Sequence, residues 1–234
     1  CLLAVVETSS LVAQNWPQFR GPTGDGSVVG KKLVASWKED QNVRWKVPVP
    51  GTGWSSPVIW GEQVWVTSAR NEGRELYAQC VTRQGELVHD VKIFDVEQPE
   101  VKNALNSFAS PTPAIEEGRL YVHFGTYGTA CLDTGSGQIL WARRDLTLDH
   151  QEGPGSSVIL HGDHLIFHCD GRDIQYLVAL NKQTGKTAWK TTRSIDLSVV
   201  GDFARKAFST PLIVTDGGVT QLVSPAAQGC YSYD

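Results

Sequence analysis

The stretch TGSGQILWA at 134–142 returns in altered form as QTGKTAWK at 183–190. In each, a glycine stands four residues before a tryptophan: Gly137 before Trp141, and Gly185 before Trp189. The two tryptophans are 48 residues apart. A fixed period of that length marks a chain assembled from equal units that stack on one another.

The phrase closes a longer unit. Each unit opens with a Ser/Pro/aliphatic run: SSPVI at 55–59, SPTPAI at 110–115, GSSVIL at 155–160 and STPLIV at 209–214. A second run follows at 61–67, 117–125, 162–169 and 217–223, and a third at 75–81, 128–133, 176–181 and 229–234. A fourth follows a glycine turn at 85–94, 137–146 and 185–194. The runs are short and rich in Val, Ile, Leu, Tyr and Trp, they alternate apolar with polar, and Gly, Asp or Asn punctuates them. That is the signature of strands joined by hairpins. No stretch sustains a helical period, although 95–106 and 196–206 have room for a helical turn. A four-stranded antiparallel unit of this size fits a blade of a β-propeller.

Within the phrase, Asp133 and Asn181 fall where a short polar side chain caps a turn. Gly137 and Gly185 are expected in a backbone conformation that a Cβ would penalise. Trp141 and Trp189 then fall at one place on the outer strand, as a device that docks each blade on its neighbour. The first unit carries His89 at that offset, so its docking should be weakest or repacked. NVRWKVPV at 42–49 resembles a fourth strand with Trp45 in the tryptophan role. It suits a closing strand that completes the last blade of a ring. The expected organisation is 1–14 as a signal-peptide remnant, 15–54 as an N-terminal segment with the closing strand, and 55–234 as blades.

The formal charge of −4 disfavours a nucleic-acid partner, which calls for a basic face. Lys31-Lys32 and Arg143-Arg144 are too short to be polybasic tracts. The opening CLLAVVETSSLVAQ resembles the end of a secretory signal peptide and is too short to span a bilayer. The expectation is an exported protein, periplasmic or extracellular, without a transmembrane segment. The chain begins at Cys1 and contains no Met, as a piece of a longer protein would. The apolar run after Cys1 argues against a lipidated cysteine. Cys80, Cys131, Cys169 and Cys230 read as small apolar residues, most of them free.

LVALNKQTGKTAW at 177–189 resembles the repeat signature of pyrroloquinoline-quinone (PQQ) propellers. That superfamily includes the quinoprotein alcohol dehydrogenases and the outer-membrane assembly lipoprotein BamB. NWPQFRGPTGDG at 15–26, YVHFGTYGTACLD at 121–133, DHQEGPGSS at 149–157 and RKAFSTP at 205–211 resemble exported PQQ-like repeat proteins of planctomycete-type bacteria. The resemblance implies an all-β propeller of seven or eight blades. About four of them would be present here, as an open arc with an exposed blade face.

His161, His164, His168 and Cys169 invite a metal reading, but spacing opposes it. His164 and His168 would stand ~13 Å apart on a strand, and His168 and Cys169 point to opposite faces. No metal site is expected. The loops leading into the first strands converge at the channel mouth in a propeller. They bring Trp54, Asn106, Ser107, Asp149, His150, Glu152, Arg205 and Lys206 toward one region. Two readings stand: a ligand site in which Trp54 stacks on a ring and Arg205 and Lys206 meet carboxylates, or turns whose polar groups cap strand ends. No catalytic residue is assigned. The dehydrogenases of the resembled superfamily use a vicinal Cys-Cys ring and a Ca²⁺ held by Glu and Asn, with an Asp base. The chain has neither vicinal cysteines nor a CxxCH haem motif. The favoured expectation is a non-enzymatic propeller that binds a protein partner or small ligand. The alternative is a PQQ-dependent dehydrogenase, with PQQ and Ca²⁺, or a degenerate relative of one.

Overall fold

A computed structural model describes residues 15–28 and 34–234. The expected signal-peptide remnant at 1–14, with Cys1, and the Lys31-Lys32 pair lie outside the described residues.

Among the described residues, fifteen strands form four antiparallel sheets in chain order. The first blade is β1 (Val58–Trp60), β2 (Gln63–Arg70), β3 (Glu75–Thr82) and β4 (Leu87–Asp95). The second is β5 (Ala114–Glu116), β6 (Arg119–His123), β7 (Thr129–Asp133) and β8 (Ile139–Arg143). The third is β9 (Ile159–His161), β10 (His164–Asp170), β11 (Gln175–Asn181) and β12 (Thr187–Thr192). The fourth holds β13 (Leu212–Asp216), β14 (Val219–Ala226) and β15 (Gly229–Tyr233). The blades form an open arc of a propeller, with no strand shared between the fourth sheet and the first. The helical content is three 3-10 turns, Asn71–Gly73, Gly125–Tyr127 and Asp202–Ala204, among the described residues. Only the last falls in a stretch expected to hold a helical turn.

The core lies between blades, not within them. β6 is buried on both faces: Leu120 and Val122 pack toward the first blade, while Tyr121 packs toward the third. Leu165, Phe167 and Cys169 of β10 meet Tyr121 and Cys131, and Ile166 on the opposite face meets Leu222 of the fourth blade. Strand alternation thus builds two cores at once, one on each side of a middle blade.

The repeated phrase docks blades through glycine. The ring of Trp141 lies on Gly185 of the next blade, and its Nε1 donates to the carbonyl of Lys182 (3.0 Å). Trp45 does the same two blades earlier, lying on Gly85 and donating to the carbonyl of Arg83 (2.7 Å). Between them, His89 meets Gly137 and stacks on the fully buried Trp65 at 5.3 Å. The weak docking expected at His89 is thus repacked by a tryptophan from β2. A one-residue bulge precedes this position in each complete blade, where Cys80, Cys131 and Ala179 pair with His89, Trp141 and Trp189. The extra residue re-aims the side chain toward the neighbour.

Trp141 and Trp189 are half-buried, because each lies on an outer strand with one face toward solvent. One expectation changes. The segment 42–49 forms no strand, because it is held at the first blade by Trp45 and pairs with no strand edge, although Trp45 takes its docking place.

Residues 15–24 run across the first strands of all four blades. Trp16 exchanges two backbone bonds with Ile59 (2.8 Å each), and Asn15 Oδ1 accepts from the Gly61 N–H (2.9 Å). The Pro17 carbonyl accepts from Ile115 (2.7 Å), and Gln18 Oε1 accepts from Leu160 (3.4 Å). Gly24 packs on Leu212. This strap satisfies backbone groups on strands that have no inner neighbour.

Candidate functional site

The loops leading into β1, β5, β9 and β13 open on one cleft of about 840 Å³. The hydroxyl-bearing residues Ser56, Thr112, Ser157 and Thr210 each stand two residues before the first strand of their blade. They link the blades in series. The N–H of Ser56 donates to Thr112 Oγ1 (3.0 Å), that of Thr112 to Ser157 Oγ (3.0 Å), and that of Ser157 to Thr210 Oγ1 (3.1 Å). All four line the cleft. Each accepting hydroxyl keeps its own proton to donate.

Trp54 also lines the cleft and is 60% exposed. Its Nε1 donates to the carbonyl of Leu105 (3.1 Å), which fixes the ring as a platform. Phe208, at the opposite end of the arc, presents a second aromatic face.

The remaining candidates are directed elsewhere. Asn106 stitches two loops, with Nδ2 donating to the carbonyls of Glu152 (2.7 Å) and Pro154 (3.1 Å), while Oδ1 accepts from the Ser107 N–H (2.8 Å). Ser107 is buried and bonded to Ser110 (2.9 Å). Asp149 is bound to Arg172; burial pushes its carboxyl up, but the guanidinium and the Gln151 N–H hold it below the ordinary carboxylate value. Glu152 contributes its backbone carbonyl. Arg205 donates to the carbonyls of Val200 (3.1 Å) and Ser198 (3.3 Å), and pairs with Asp202 at 3.4 Å. Asn106, Asp149 and Arg205 are thus bonded to other loop residues and do not line the cleft.

His150 and Lys206 are brought together behind the cleft. Both are buried, and Lys206 Nζ lies 2.5 Å from His150 Nδ1. They border a water-sized cavity of about 10 Å³ that His123, His168 and Asp170 also line. Burial pushes His123 and His168 down to about 3, and His168 is held by Ser224 (2.7 Å). Asp170 is raised by burial even though Arg193 binds it (2.7 Å). Sequence reasoning missed Asp170, Arg193 and His168 as one polar network, because they come from β10 and the segment after β12. The suspected metal quartet is divided: His168 faces Ser224 of the fourth blade, while Cys169 packs in the core shared with the second.

A Ca²⁺–PQQ site does not fit these residues. PQQ is a tricarboxylate, and among the described lining residues the cleft has a single guanidinium, that of Arg20. Asn106, Asp149 and Glu152 do not converge as oxygen donors, since Asn106 and Asp149 are committed to the partners just named.

The chain is similar to quinohemoprotein alcohol dehydrogenase from Comamonas testosteroni, with 14% identity, a TM-score of 0.59, and 78% of this chain against 28% of that one. It is similar to the quinohemoprotein alcohol dehydrogenase ADHIIG from Pseudomonas putida HK5, with 13% identity and a TM-score of 0.50 over 78% and 30% of the two chains. BamB from Moraxella catarrhalis aligns at 16% identity and a TM-score of 0.43 over 81% and 63%. The chain therefore spans less than a third of either dehydrogenase, and at these identities the likeness speaks to the fold alone. No curated protein matches it. None of the described helices is long and apolar enough to cross a membrane. Residues 94–230, more than half of the chain, match the family described as outer membrane protein assembly factor BamB, and the chain belongs to that family.

Proposed function

We propose that this protein is an exported, non-enzymatic propeller that binds a protein partner or small ligand in the channel-mouth cleft. The observation that carries this reading is the cleft's lining. All four blades contribute a hydroxyl to it, and Trp54 is fixed there as an exposed platform. Most of the ionisable candidates are bound within the protein, so the cleft offers hydrogen bonds and aromatic area more than acid–base chemistry. Export draws support from the signal-like opening and from the family's description as an outer-membrane assembly factor.

Calorimetry with two probes tests the reading. One is PQQ, with and without Ca²⁺. The other is an extended peptide copied from a strand of an unfolded outer-membrane barrel. Peptide binding that Trp54→Ala weakens tenfold or more supports the proposal. Tight Ca²⁺-dependent PQQ binding replaces it with the dehydrogenase alternative. Failure of both probes at millimolar concentration removes the cleft as a binding site.

A further inference from the structure

The pair behind the cleft poses a question of proton counting. The N–H of Thr126 donates to His150 Nε2 (2.9 Å), so that nitrogen carries no proton. The one proton of the neutral imidazole then sits on Nδ1. Nδ1–H faces Lys206 Nζ, and that contact is a hydrogen bond only if Nζ accepts. An ammonium has no lone pair. The contact therefore favours the free amine of Lys206 over its ammonium.

The surroundings are built for this state. The 3-10 turn Gly125–Tyr127 brings the Thr126 N–H to the imidazole, and any side chain at Gly125 would collide with His150. Burial pushes Lys206 down to about 8, against the pull of Glu100, Asp149 and Asp170. Two of those carboxylates are already bound, Asp149 to Arg172 and Asp170 to Arg193. Burial, reinforced by Lys206 and His123, keeps His150 well below its ordinary value.

Nζ also has a route to the outside. It borders the small cavity that reaches Gly155, and Gly155 lines the cleft as well. The ring of Phe208 packs on Gly155 with its centroid 4.8 Å from Nζ, and Phe208 is 46% exposed. A glycine and one exposed ring separate the amine from the cleft.

We propose that Lys206 is a reactive amine that captures small aldehydes as a Schiff base, reached from the cleft past Phe208. The Nζ lone pair attacks the carbonyl carbon and an N–C bond forms. The carbonyl oxygen leaves as water, taking the two protons that the amine gives up. His150 relays one of them: Nδ1–H, freed of its acceptor, donates to the departing oxygen, and Nδ1 is reprotonated from the amine nitrogen. The water-sized cavity limits the substrate to an unhindered carbonyl group. The inference rests on the His150–Lys206 geometry and is independent of what the cleft binds.

The test is reductive alkylation of the whole folded protein with formaldehyde and cyanoborohydride, read by peptide mass mapping. At pH 7, Lys206 should label ahead of the exposed Lys38 and Lys186. Its free-amine fraction is larger than that of an ordinary lysine by on the order of a hundredfold. Its rate should rise with pH to a midpoint near 8. Phe208→Ala, a change at an exposed ring, should speed labelling at Lys206 alone. Labelling seen only in that variant supports the inference and makes Phe208 the gate. If Lys206 stays unmodified in both proteins while exposed lysines react, or if its rate follows theirs with pH, the inference falls.

Discussion

The ring of Trp141 lies so close over Gly185 that a Cβ there would sit 2.7 Å from its Cε3. Gly185 also has φ +70°, a conformation that side chains resist. Two demands therefore meet at one position, a left-handed turn within its own blade and a flat landing for the preceding one.

The two demands separate by mutation. Gly185→Ala should cost about 2–4 kcal/mol, combining backbone strain with displacement of the indole. Gly118 has φ +75°, and a Cβ there would find nothing within 4 Å. Gly118→Ala should cost only about 1–2 kcal/mol, the backbone part. Urea unfolding of both variants measures the difference. Equal losses would show that the indole contact contributes nothing.

Trp65→Ala and Trp141→Ala should also differ. Trp65 is fully buried, and its loss should cost about 3–5 kcal/mol. Trp141 is half-buried and should cost roughly half as much, about 1.5–3 kcal/mol. Denaturant midpoints give the ranking, and a larger loss at Trp141 would contradict it.

Acid should destabilise the protein before its carboxylates titrate. His123 and His168 are pushed to about 3 in the folded state, and His150 lies well below its ordinary value. In the unfolded chain these groups take up protons near pH 6.5. The unfolded state then binds more protons, so stability falls as pH drops below about 6.5, by up to roughly 1.4 kcal/mol per pH unit for each histidine. Lys206 works in the same direction, adding stability as pH rises from about 8 toward its unfolded value. Asp170 and Glu100, both raised by burial, oppose the loss only in the carboxylate range. Urea midpoints at about pH 7.5 and 5.5 should show a marked loss at the lower value. A flat profile would mean that these histidines take up protons in the folded state.

Thiol reactivity should divide cleanly. Cys80, Cys131 and Cys169 are free and buried, and burial pushes their thiols up to about 12, 11 and 12. Cys230 is free and exposed. Of the four described cysteines, Ellman's reagent should modify Cys230 in the folded protein and reach the other three only on unfolding. Rapid reaction at Cys80 would contradict its burial.

Most of the blade pattern was legible in the sequence. Short aliphatic and aromatic runs between turn residues mark β2, β6, β10 and β14, and the Gly–Trp offset fixes which residue meets the next blade. The strap at 15–24 was not legible. It makes three bonds to the first blade, one each to the second and third, and a packing contact on the fourth, so no local periodicity betrays it. The half-burial of Trp141 was also hidden, since spacing gives the neighbour but not how far the ring is covered. Of the candidate site, the convergence of four loops followed from topology, and so did Trp54. The destinations of Asn106, Asp149 and Arg205 did not. Polar loop residues reach carbonyls or partners whose positions depend on the loop's own path. His150 and Lys206 were named as candidates, but their pairing rests on the backbone of the Gly125–Tyr127 turn, in a different blade.

The strap has a consequence for biosynthesis. Its bonds reach Ile59, Ile115 and Leu160, and its end packs on Leu212 in the last described blade. The first described residues to leave the ribosome are therefore among the last whose full set of partners exists. Blades can form one after another as the chain emerges, but the strap can be completed only when the fourth has been made. A nascent chain halted after the third blade would hold a strap whose last contact, with Leu212, is missing. That gives the cell an interval in which a chaperone can recognise the unfinished molecule by first strands not yet fully covered.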